Sequence, residues 1–231
     1  MRRDRGTGSV ISPPAQVARL VTVDANEATQ ATILQALAQS HALLTGHFAL
    51  HRGRHATNAL RFRGVGRDPA FARAVTEAII ARAPDAVTHA LAGAKLLTPE
   101  SAGFLLGRAL ATRYQVPHVV AQTDLRRLPT KALRAGVIQP NDRVVLVNDV
   151  ASTGASLDIL RELVAERGGR AVAVVLFGVA GSAAAAAVTA YCARWQLPAH
   201  WLVSARWDTY APEGCPGCKA GQPLSSVAEL A

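Results

Sequence analysis

The chain has 231 residues and a mass of 24.2 kDa, and half of its residues are hydrophobic, which indicates one domain with a sizeable core and excludes a wholly disordered or fibrous chain. No apolar run approaches the roughly 20 residues of a membrane span, and no apolar segment follows the charged start, so we expect a cytoplasmic protein without a membrane partner. The net charge of +9 comes mainly from 22 arginines, which favours anionic partners such as phosphorylated metabolites or nucleic acid over apolar ones. A solvated basic surface is the alternative interpretation of the charge.

The first part of the chain predicts a flexible arm and then two helices. Residues 1–24 show no sustained periodicity. Asp24 is suited to cap a helix over about residues 25–40, and Asp68-Pro69 marks the start of another helix that continues to about residue 83. Residues 41–67, between these helices, are rich in glycine, histidine and arginine.

From residue 86 onward, apolar stretches alternate with helical patterns. The stretches are 86–97, 117–121, 143–147, 171–179 and 200–204, and the helices are expected at 100–114, 155–167 and 182–196. This alternation is typical of a parallel sheet with crossover helices, so we predict an α/β fold. Residues 210–231 are rich in proline and glycine, which predicts a turn-rich C-terminal tail rather than another domain.

The segment that carries chemistry follows the strand predicted at 143–147. Asn148 and Asp149 come first, followed by the small residues Ala151, Ser152, Thr153, Gly154, Ala155 and Ser156 and then an amphipathic helix. At the carboxyl end of a parallel strand, the loop and first turn of the next helix present free N–H groups that can bind a phosphate. A carboxylate at the strand end suits ribose hydroxyls. Serine and threonine that only cap the helix are the structural alternative.

An acidic residue followed by Thr-Gly-x-Ser resembles the phosphoribosyl pyrophosphate (PRPP) motif of type I phosphoribosyltransferases. Gly46-His-Phe-Ala-Leu-His-Arg-Gly53-Arg54-His55 is similar to a segment of the orotate phosphoribosyltransferase-like branch, as is Leu133–Val144, which leads into the motif. Trp207 and Cys215-Pro-Gly-Cys218, with Pro223, resemble a C-terminal pattern of the same branch. Together these segments cover about residues 40–225.

The resemblance implies a type I phosphoribosyltransferase fold, with a central parallel sheet flanked by helices and a small N-terminal hood. The domain would span 25–209, with the hood at about 40–67. The implied activity is that of a glycosyltransferase (a pentosyltransferase), which transfers ribose 5-phosphate from PRPP to a nucleobase-like acceptor and releases pyrophosphate with bound Mg²⁺. A homodimer is also implied. A catalytically weak or inactive PRPP- or nucleotide-binding regulatory protein of the same fold is the alternative.

The resemblance also assigns roles to individual residues. The 5′-phosphate would bind to residues 151–156, and Asn148 and Asp149 would face the ribose. The remaining assignments are a pyrophosphate loop of Pro99, Glu100, Ser101, Ala102 and Gly103, a mobile loop carrying Arg126, Arg127 and Lys131, and an acceptor pocket with Phe48, Gly53 and Arg54. We expect Asn148, Asp149, Arg126 and Lys131 to contribute to catalysis.

Several positions depart from the family pattern. Asn148 replaces an acidic residue and cannot carry its negative charge. Glu100 brings a carboxylate into the pyrophosphate loop, where it would repel pyrophosphate unless it faces away or meets magnesium. Arg126 stands where a catalytic lysine is expected. Ala59 and Phe62 replace acceptor-pocket residues and Val179 replaces an arginine that would pair with a carboxylate, so we expect orotate to be a poor acceptor.

Two groups of residues raise the question of metal binding. Cys215 and Cys218 have the spacing of half a zinc site, which Cys192 with His200 or a second knuckle from a partner subunit would complete; a buried thiol pair or tail anchor is the alternative. His47, His51 and His55 would share a helix face, but the neighbouring glycines favour a hairpin with substrate-lining or surface histidines.

A basic segment beside the predicted hood leaves a nucleic-acid partner open. Its arginines are Arg52, Arg54, Arg61, Arg63, Arg67 and Arg73. In the enzyme interpretation they would line the phosphate-rich site or face a dimer partner. Nucleic-acid binding would instead weaken steeply with salt.

Overall fold

Two β-sheets organise the molecule in the computed structural model, which describes residues 19–40, 42–50, 53–60, 62, 68–100, 103–125 and 128–226. In chain order the strands are β1 (Val21–Val23), β2 (Leu43–Ala49), β3 (His55–Leu60), β4 (Lys95–Pro99), β5 (His118–Thr123), β6 (Pro129–Ala135), β7 (Arg143–Ala151), β8 (Arg170–Ala180), β9 (Ala199–Ala205), β10 (Thr209–Tyr210) and β11 (Ser225–Ser226). The large sheet has the order β1-β9-β8-β7-β4-β5-β6, and the small sheet has the order β10-β3-β2-β11.

Helices cover both faces of the large sheet. They are α1 (Glu27–Gln39), α2 (Pro69–Arg82), α3 (Asp85–Gly93), α4 (Gly103–Tyr114), α5 (Ala155–Ala165), α6 (Ala184–Arg194) and α7 (Pro216–Lys219), with a 3₁₀ turn at Pro212–Gly214. None of the helices in the described part of the chain is long and apolar enough to cross a membrane.

The five central strands, β9, β8, β7, β4 and β5, are mutually parallel, and β1 and β6 pair antiparallel at the two edges. This confirms the predicted α/β fold with a central parallel sheet. Along the chain, β4 is followed by β5 on one side, whereas β7, β8 and β9 extend the sheet on the other side of β4. The strand order therefore reverses between β4 and β7, which is where open α/β sheets bind ligands at the carboxyl ends of their strands.

Alternating side chains of the central strands fill two cores. Leu96, Val145 and Val147 pack with α1 to α4 in a first core, and Leu97 and Leu146 pack with α5 and α6 in a second core. Because strand side chains point alternately to opposite faces, a continuous apolar run buries both faces of the sheet. The helix that follows β4 and the helix that follows β7 consequently lie on opposite faces.

Two local sequence predictions need correction. The helix expected at 25–40 begins at Glu27, and its cap is Asn26, whose Oδ1 accepts the N–H of Thr29 at 2.9 Å. Asp24 instead pairs with Arg82, with a Nε–Oδ1 distance of 3.1 Å. The apolar stretch at 86–97 is not one strand, because Val87, Ala90 and Leu91 have helical spacing and form α3, and only the following residues form β4.

The small sheet, which we call the hairpin sheet, is built around the β2–β3 hairpin. β10 pairs antiparallel with β3, and β11 pairs parallel with β2. β10 and β11, which follow the last strand of the large sheet in the sequence, therefore return to the two edges of a hairpin that precedes its central strands. The predicted domain and tail boundaries themselves stay predictions.

Phe62 lies in the first core rather than in an acceptor pocket. It is fully buried, and its ring centroid lies 4.7 Å from that of Phe177 on β8 and 6.2 Å from that of Phe71 on α2. The position next to the hairpin therefore serves packing between β8 and α2. The phenylalanine at this position therefore gives no information about which acceptor the protein binds.

Replacing Phe62 by alanine removes this aromatic contact, and we expect a loss of about 3–5 kcal/mol in the free energy of unfolding, measured by urea denaturation. The control is Val137→Ala, at a side chain that is 61% exposed, which should change stability by less than about 0.5 kcal/mol. Equal, small losses for both variants would contradict the core assignment.

Candidate active site

The candidate site lies at the carboxyl ends of β4 and β7, which we call the β4/β7 edge. The two strands are hydrogen-bonded in parallel, with Leu97 opposite Leu146. The loop after β4 and the polar end of β7 consequently reach the same edge of the sheet. Ser101 and Ala102, in the middle of the predicted pyrophosphate loop, lie outside the described residues.

Gly103, the first residue of α4, packs directly on Asn148. A Cβ atom at Gly103 would lie 2.8 Å from Oδ1 of Asn148 and 3.2 Å from its Cα, so only glycine permits this approach. The end of the predicted pyrophosphate loop and the start of the PRPP-like motif are therefore in contact. The structure brings together two segments that are 45 residues apart in the sequence.

Asn148 and Asp149 have different environments. Asn148 is buried, and its Oδ1 accepts the N–H of Asp149 at 2.9 Å, which fixes the amide against the backbone. Burial removes water from the Asp149 carboxylate and raises its pKa to about 6, although hydrogen bonds from the N–H groups of Val150 and Asp149 oppose the shift. A carboxylate with this pKa is largely ionised at neutral pH and is ready to accept hydrogen bonds from a polyol.

Contacts with β8 and α6 hold the loop after β7 in place. The hydroxyl of Ser152 donates to the carbonyl of Ala180 at 2.9 Å, which ties the loop to the end of β8. Gly154 has a φ of +79°, and a Cβ there would lie 3.2 Å from the ring of Tyr191 on α6. Thr153 Oγ1 accepts the N–H of Ala155 at 3.4 Å. The other N–H groups of the first turn of α5 have no acceptor within the helix and can bind an anion.

Glu100 faces away from the motif. Its Oε1 accepts the N–H of Thr123 at 2.9 Å, and its Oε2 lies 3.6 Å from Nε of Arg134. Both partners are on the β5–β6 side of β4, whereas the motif is on the β7 side. Of the two alternatives left by the sequence, the geometry favours a carboxylate that braces the end of β5 over one that meets pyrophosphate or magnesium.

The predicted mobile-loop residues are only partly described. Lys131 lies on β6, and its ammonium pairs with Glu162 and Glu166 at the end of α5 and just beyond it, at 3.0 Å from Glu162 Oε2. Hydrogen bonds from these two carboxylates raise the pKa of Lys131, so the group is a cation at neutral pH. Arg126 and Arg127 lie outside the described residues.

The predicted acceptor residues lie on or beside the hairpin sheet. Phe48 is buried on β2, Gly53 has a φ of +70° between β2 and β3, and Arg54 donates to Oγ1 of Thr209 at 3.0 Å and to its carbonyl oxygen. Ala59 is buried on β3 opposite Leu44. The side chain of Arg54 therefore holds β10 against the hairpin.

Val179, like Phe62, is a core residue. It is 1% exposed and belongs to the second core, whereas Phe62 belongs to the first core on the other face of the sheet. The two side chains cannot line one pocket. Burial accounts for the valine at position 179 but does not supply the carboxylate-pairing arginine of the family pattern, so the expectation that orotate is a poor acceptor stays a prediction.

Sequence reasoning missed three contributors to this region. Tyr191, Thr123 and Arg134 reach the loops only through the packing of α6 and the pairing of β5 with β6. No local motif marks Tyr191 or Thr123, and the family-like segment that contains Arg134 gave this residue no role. Of the basic segment, Arg54 has the contacts given above and Arg73 is exposed on α2, while Arg52, Arg61, Arg63 and Arg67 lie outside the described residues.

Comparison with known proteins identifies the family. The orotate phosphoribosyltransferase of Novosphingobium aromaticivorans is 30% identical over 185 residues, which cover 80% of this chain and 89% of the relative. The chain belongs to the orotate phosphoribosyltransferase family. This confirms the resemblance inferred from the motifs and places the chain among the phosphoribosyltransferases, which are glycosyltransferases of the pentosyltransferase class. No protein-family model matches the chain.

Solved structures agree on the fold. The orotate phosphoribosyltransferase of Aeropyrum pernix aligns with a TM-score of 0.57 at 21% identity, over 74% of this chain and 91% of that one. The UMP synthase of Leishmania donovani aligns with a TM-score of 0.60 at 22% identity, over 75% of this chain but only 36% of that longer protein. At these identities the likeness supports the type I phosphoribosyltransferase fold.

The orientation of Glu100 predicts that two variants at this position differ in their affinity for magnesium PRPP. Glu100→Gln removes the charge but keeps an oxygen for the Thr123 N–H, so calorimetric titration should give an affinity for magnesium PRPP close to that of the wild type. Glu100→Ala removes the contact that braces the loop after β4 against β5, and we expect a roughly 2–10-fold weaker affinity because binding must then order this loop. A carboxylate that faced pyrophosphate would give the contrary result, with tighter binding in both variants.

Proposed function

We propose that this chain transfers ribose 5-phosphate from PRPP to a nucleobase-like acceptor and releases pyrophosphate. The observation that carries the proposal is the β4/β7 edge, where Gly103 packs on Asn148 and an N–H-rich loop stands beside the Asp149 carboxylate. This edge combines an anion-binding loop, a polyol-binding carboxylate and a second loop. PRPP needs these three elements.

The proposed roles follow from the environments of the residues. The loop of residues 151–156 holds the 5′-phosphate through backbone N–H groups, and Asp149 accepts hydrogen bonds from the ribose hydroxyls. As the bond from C1 to pyrophosphate lengthens, the sugar gains positive charge, which the ionised Asp149 stabilises. The loop that ends at Gly103 receives the leaving pyrophosphate. Catalytic roles for Arg126 and Lys131 remain part of the proposal, with Lys131 leaving its two glutamates to act.

Magnesium fits this site as an ion carried by the substrate. In the part of the chain that the structure describes, no cluster of three carboxylate or imidazole groups surrounds the β4/β7 edge, and Asp149 is a single carboxylate. Mg²⁺ binds through one or two carboxylates and substrate phosphates more often than in a protein cage. Bound to pyrophosphate, it would neutralise the charge of the leaving group.

Orotate is the first acceptor to test, because the relative with 30% identity is named for it. The arginine that is missing at position 179 argues against orotate, so other bases are tested beside it. A homodimer also remains part of the proposal. The alternative of a non-catalytic PRPP-binding protein is not favoured by any of the contacts described above.

The proposal is tested by measuring pyrophosphate release from magnesium PRPP with orotate, uracil and adenine in parallel. We expect release with one base, together with stoichiometric formation of its nucleoside 5′-monophosphate. PRPP that binds but is not turned over with any base would contradict the transferase proposal. Ribose 5-phosphate or a nucleotide that binds when PRPP does not would contradict the assignment of the site.

The raised pKa of Asp149 predicts a pH profile. Because the ionised carboxylate is the active form, kcat/KM should rise as the pH increases through about 6, and this limb reports the free enzyme. Asp149→Asn should lower kcat/KM by roughly 10²–10³-fold and lose the limb, since the amide does not titrate. The matched control is Asp158→Asn, which changes an exposed carboxylate on α5 and should keep the limb. A limb that persists in Asp149→Asn would assign it to another group.

A further inference from the structure

Four potential metal ligands converge on the hairpin sheet, away from the β4/β7 edge. They are His47 on β2, His55 at the start of β3, and Cys215 and Cys218 on either side of the first turn of α7. One ligand atom from each of these side chains lies within 4.8 Å of the other three. In the described residues, no other group of three or more histidine, cysteine or acidic side chains is arranged in this way.

Strand geometry explains how the two histidines meet. Ala49 is directly opposite His55 in the antiparallel β2–β3 pair, and the register of the pair shifts between Thr45 and Phe48, where His47 lies. The ring centroid of His47 lies 4.9 Å from that of His55, so the two imidazoles are on the same face of the hairpin. β10 and β11, which flank the cysteine segment in the sequence, pair with β3 and β2. The two short strands therefore bring the cysteines over the histidine-bearing face.

The distances fit a tetrahedral metal ion. Nε2 of His47 lies 3.0 Å from Nδ1 of His55, 3.3 Å from Sγ of Cys215 and 3.5 Å from Sγ of Cys218. Nδ1 of His55 lies 3.2 Å from Sγ of Cys218. Zinc bonds of about 2.0 Å to nitrogen and 2.3 Å to sulfur require tetrahedral ligand atoms to be roughly 3.3–3.8 Å apart. These four separations differ from the requirement by a few tenths of an ångström, and the remaining pairs of ligand atoms, which lie within 4.8 Å, need to close by up to roughly 1 Å.

A backbone carbonyl orients one of the ligands. Nδ1 of His47 lies 2.9 Å from the carbonyl oxygen of Gln222, so this nitrogen donates its hydrogen to the carbonyl. The lone pair of the neutral ring is then on Nε2, the atom that faces the other three ligands. Metal-bound histidines usually have such a partner, which sets the tautomer and the orientation of the ring.

The cysteine turn is fitted closely to the histidines. A Cβ atom at Gly217 would lie 2.6 Å from Cγ of His47, so the backbone between the cysteines can approach the ring only because residue 217 is glycine. Cys215 is fully buried, and His47 and His55 are also buried. Cys218 is at the surface, which leaves a path for a metal ion to enter.

We propose that His47, His55, Cys215 and Cys218 form a structural zinc site that fastens the C-terminal segment to the hairpin sheet. Two thiolates and two neutral imidazoles are a common ligand set for Zn²⁺, and a closed set of four protein ligands is typical of a structural rather than a catalytic ion. Binding releases the two thiol protons to solvent, and the two thiolate charges balance the charge of the ion. Neither Cys192, which is buried in the second core, nor His200 belongs to the site.

The first test is the metal content of the full chain, purified without an immobilised-metal step and measured by mass spectrometry of the elements. We expect close to one zinc per chain in the wild type and less than a tenth of that in Cys218→Ser and His55→Gln. Because Cys218 is at the surface, its replacement is the variant that should disturb folding least. The matched controls, Cys192→Ala and the surface variant His89→Ala, should keep their zinc.

Two further readouts do not depend on enzyme activity. Cobalt added to the metal-free chain should give the intense visible absorption of tetrahedral cobalt with thiolate ligands, and Cys218→Ser should weaken it. Chelation should lower the midpoint of thermal unfolding and make Cys215 and Cys218 reactive toward a thiol reagent. Reduced wild-type chain that takes up no zinc or cobalt, or Cys218→Ser and His55→Gln variants that both keep full zinc, would overturn the proposal.

Discussion

The proposed ligand site depends on the reversal of strand order between β4 and β7. At that point the following helices, α4 and α5, leave for opposite faces of the sheet, because Leu96 and Leu97, and likewise Val145 and Leu146, point into different cores. At such a point open α/β sheets have a crevice at the carboxyl ends of the two strands, and we propose that the ligand binds there. The loop after β7 leads to this point from one side, and the predicted pyrophosphate loop, of which residues 101 and 102 lie outside the described residues, leads to it from the other. The packing of apolar residues on both faces thus places the polar chemistry at one edge.

Among the described residues, few acidic side chains face the carboxyl ends of β4 and β7. Asn148 is neutral and bonded to the backbone, and Glu100 is turned toward Thr123 and Arg134, so Asp149 is the acidic side chain left at the end of β7. A second carboxylate beside Asp149 would raise its pKa further and weaken binding of a pyrophosphate ester. Of the two replacements, Asn148 therefore removes a charge at the end of β7, and Glu100 adds none there. In the proposed complex, backbone N–H groups of α5 supply much of the positive potential for the 5′-phosphate.

The sequence predicted what depends on local patterns. The apolar run before Asn148 and the small residues after it predicted β7, the loop and α5, and Asp68-Pro69 predicted the start of α2. It could not predict contacts between distant segments. Phe62 and Val179 were assigned to a pocket because their positions in the pattern suggested one, whereas packing places them in separate cores. The histidines were interpreted as substrate-lining or surface residues, whereas His47 and His55 are buried against the cysteine pair. Only the pairing of β10 and β11 with the hairpin brings the two halves together.

The most direct test of the central claim is the binding of ribose 5-phosphate to isotope-labelled protein, followed by the amide signals of nuclear magnetic resonance. The sugar phosphate lacks the pyrophosphate group, so it reports only on the loop after β7 and on Asp149. The account predicts saturable shifts that are largest at the amides of residues 152–157, with a smaller response near Asp149. Saturable shifts that centre on the hairpin sheet, with the loop unaffected, would contradict the account.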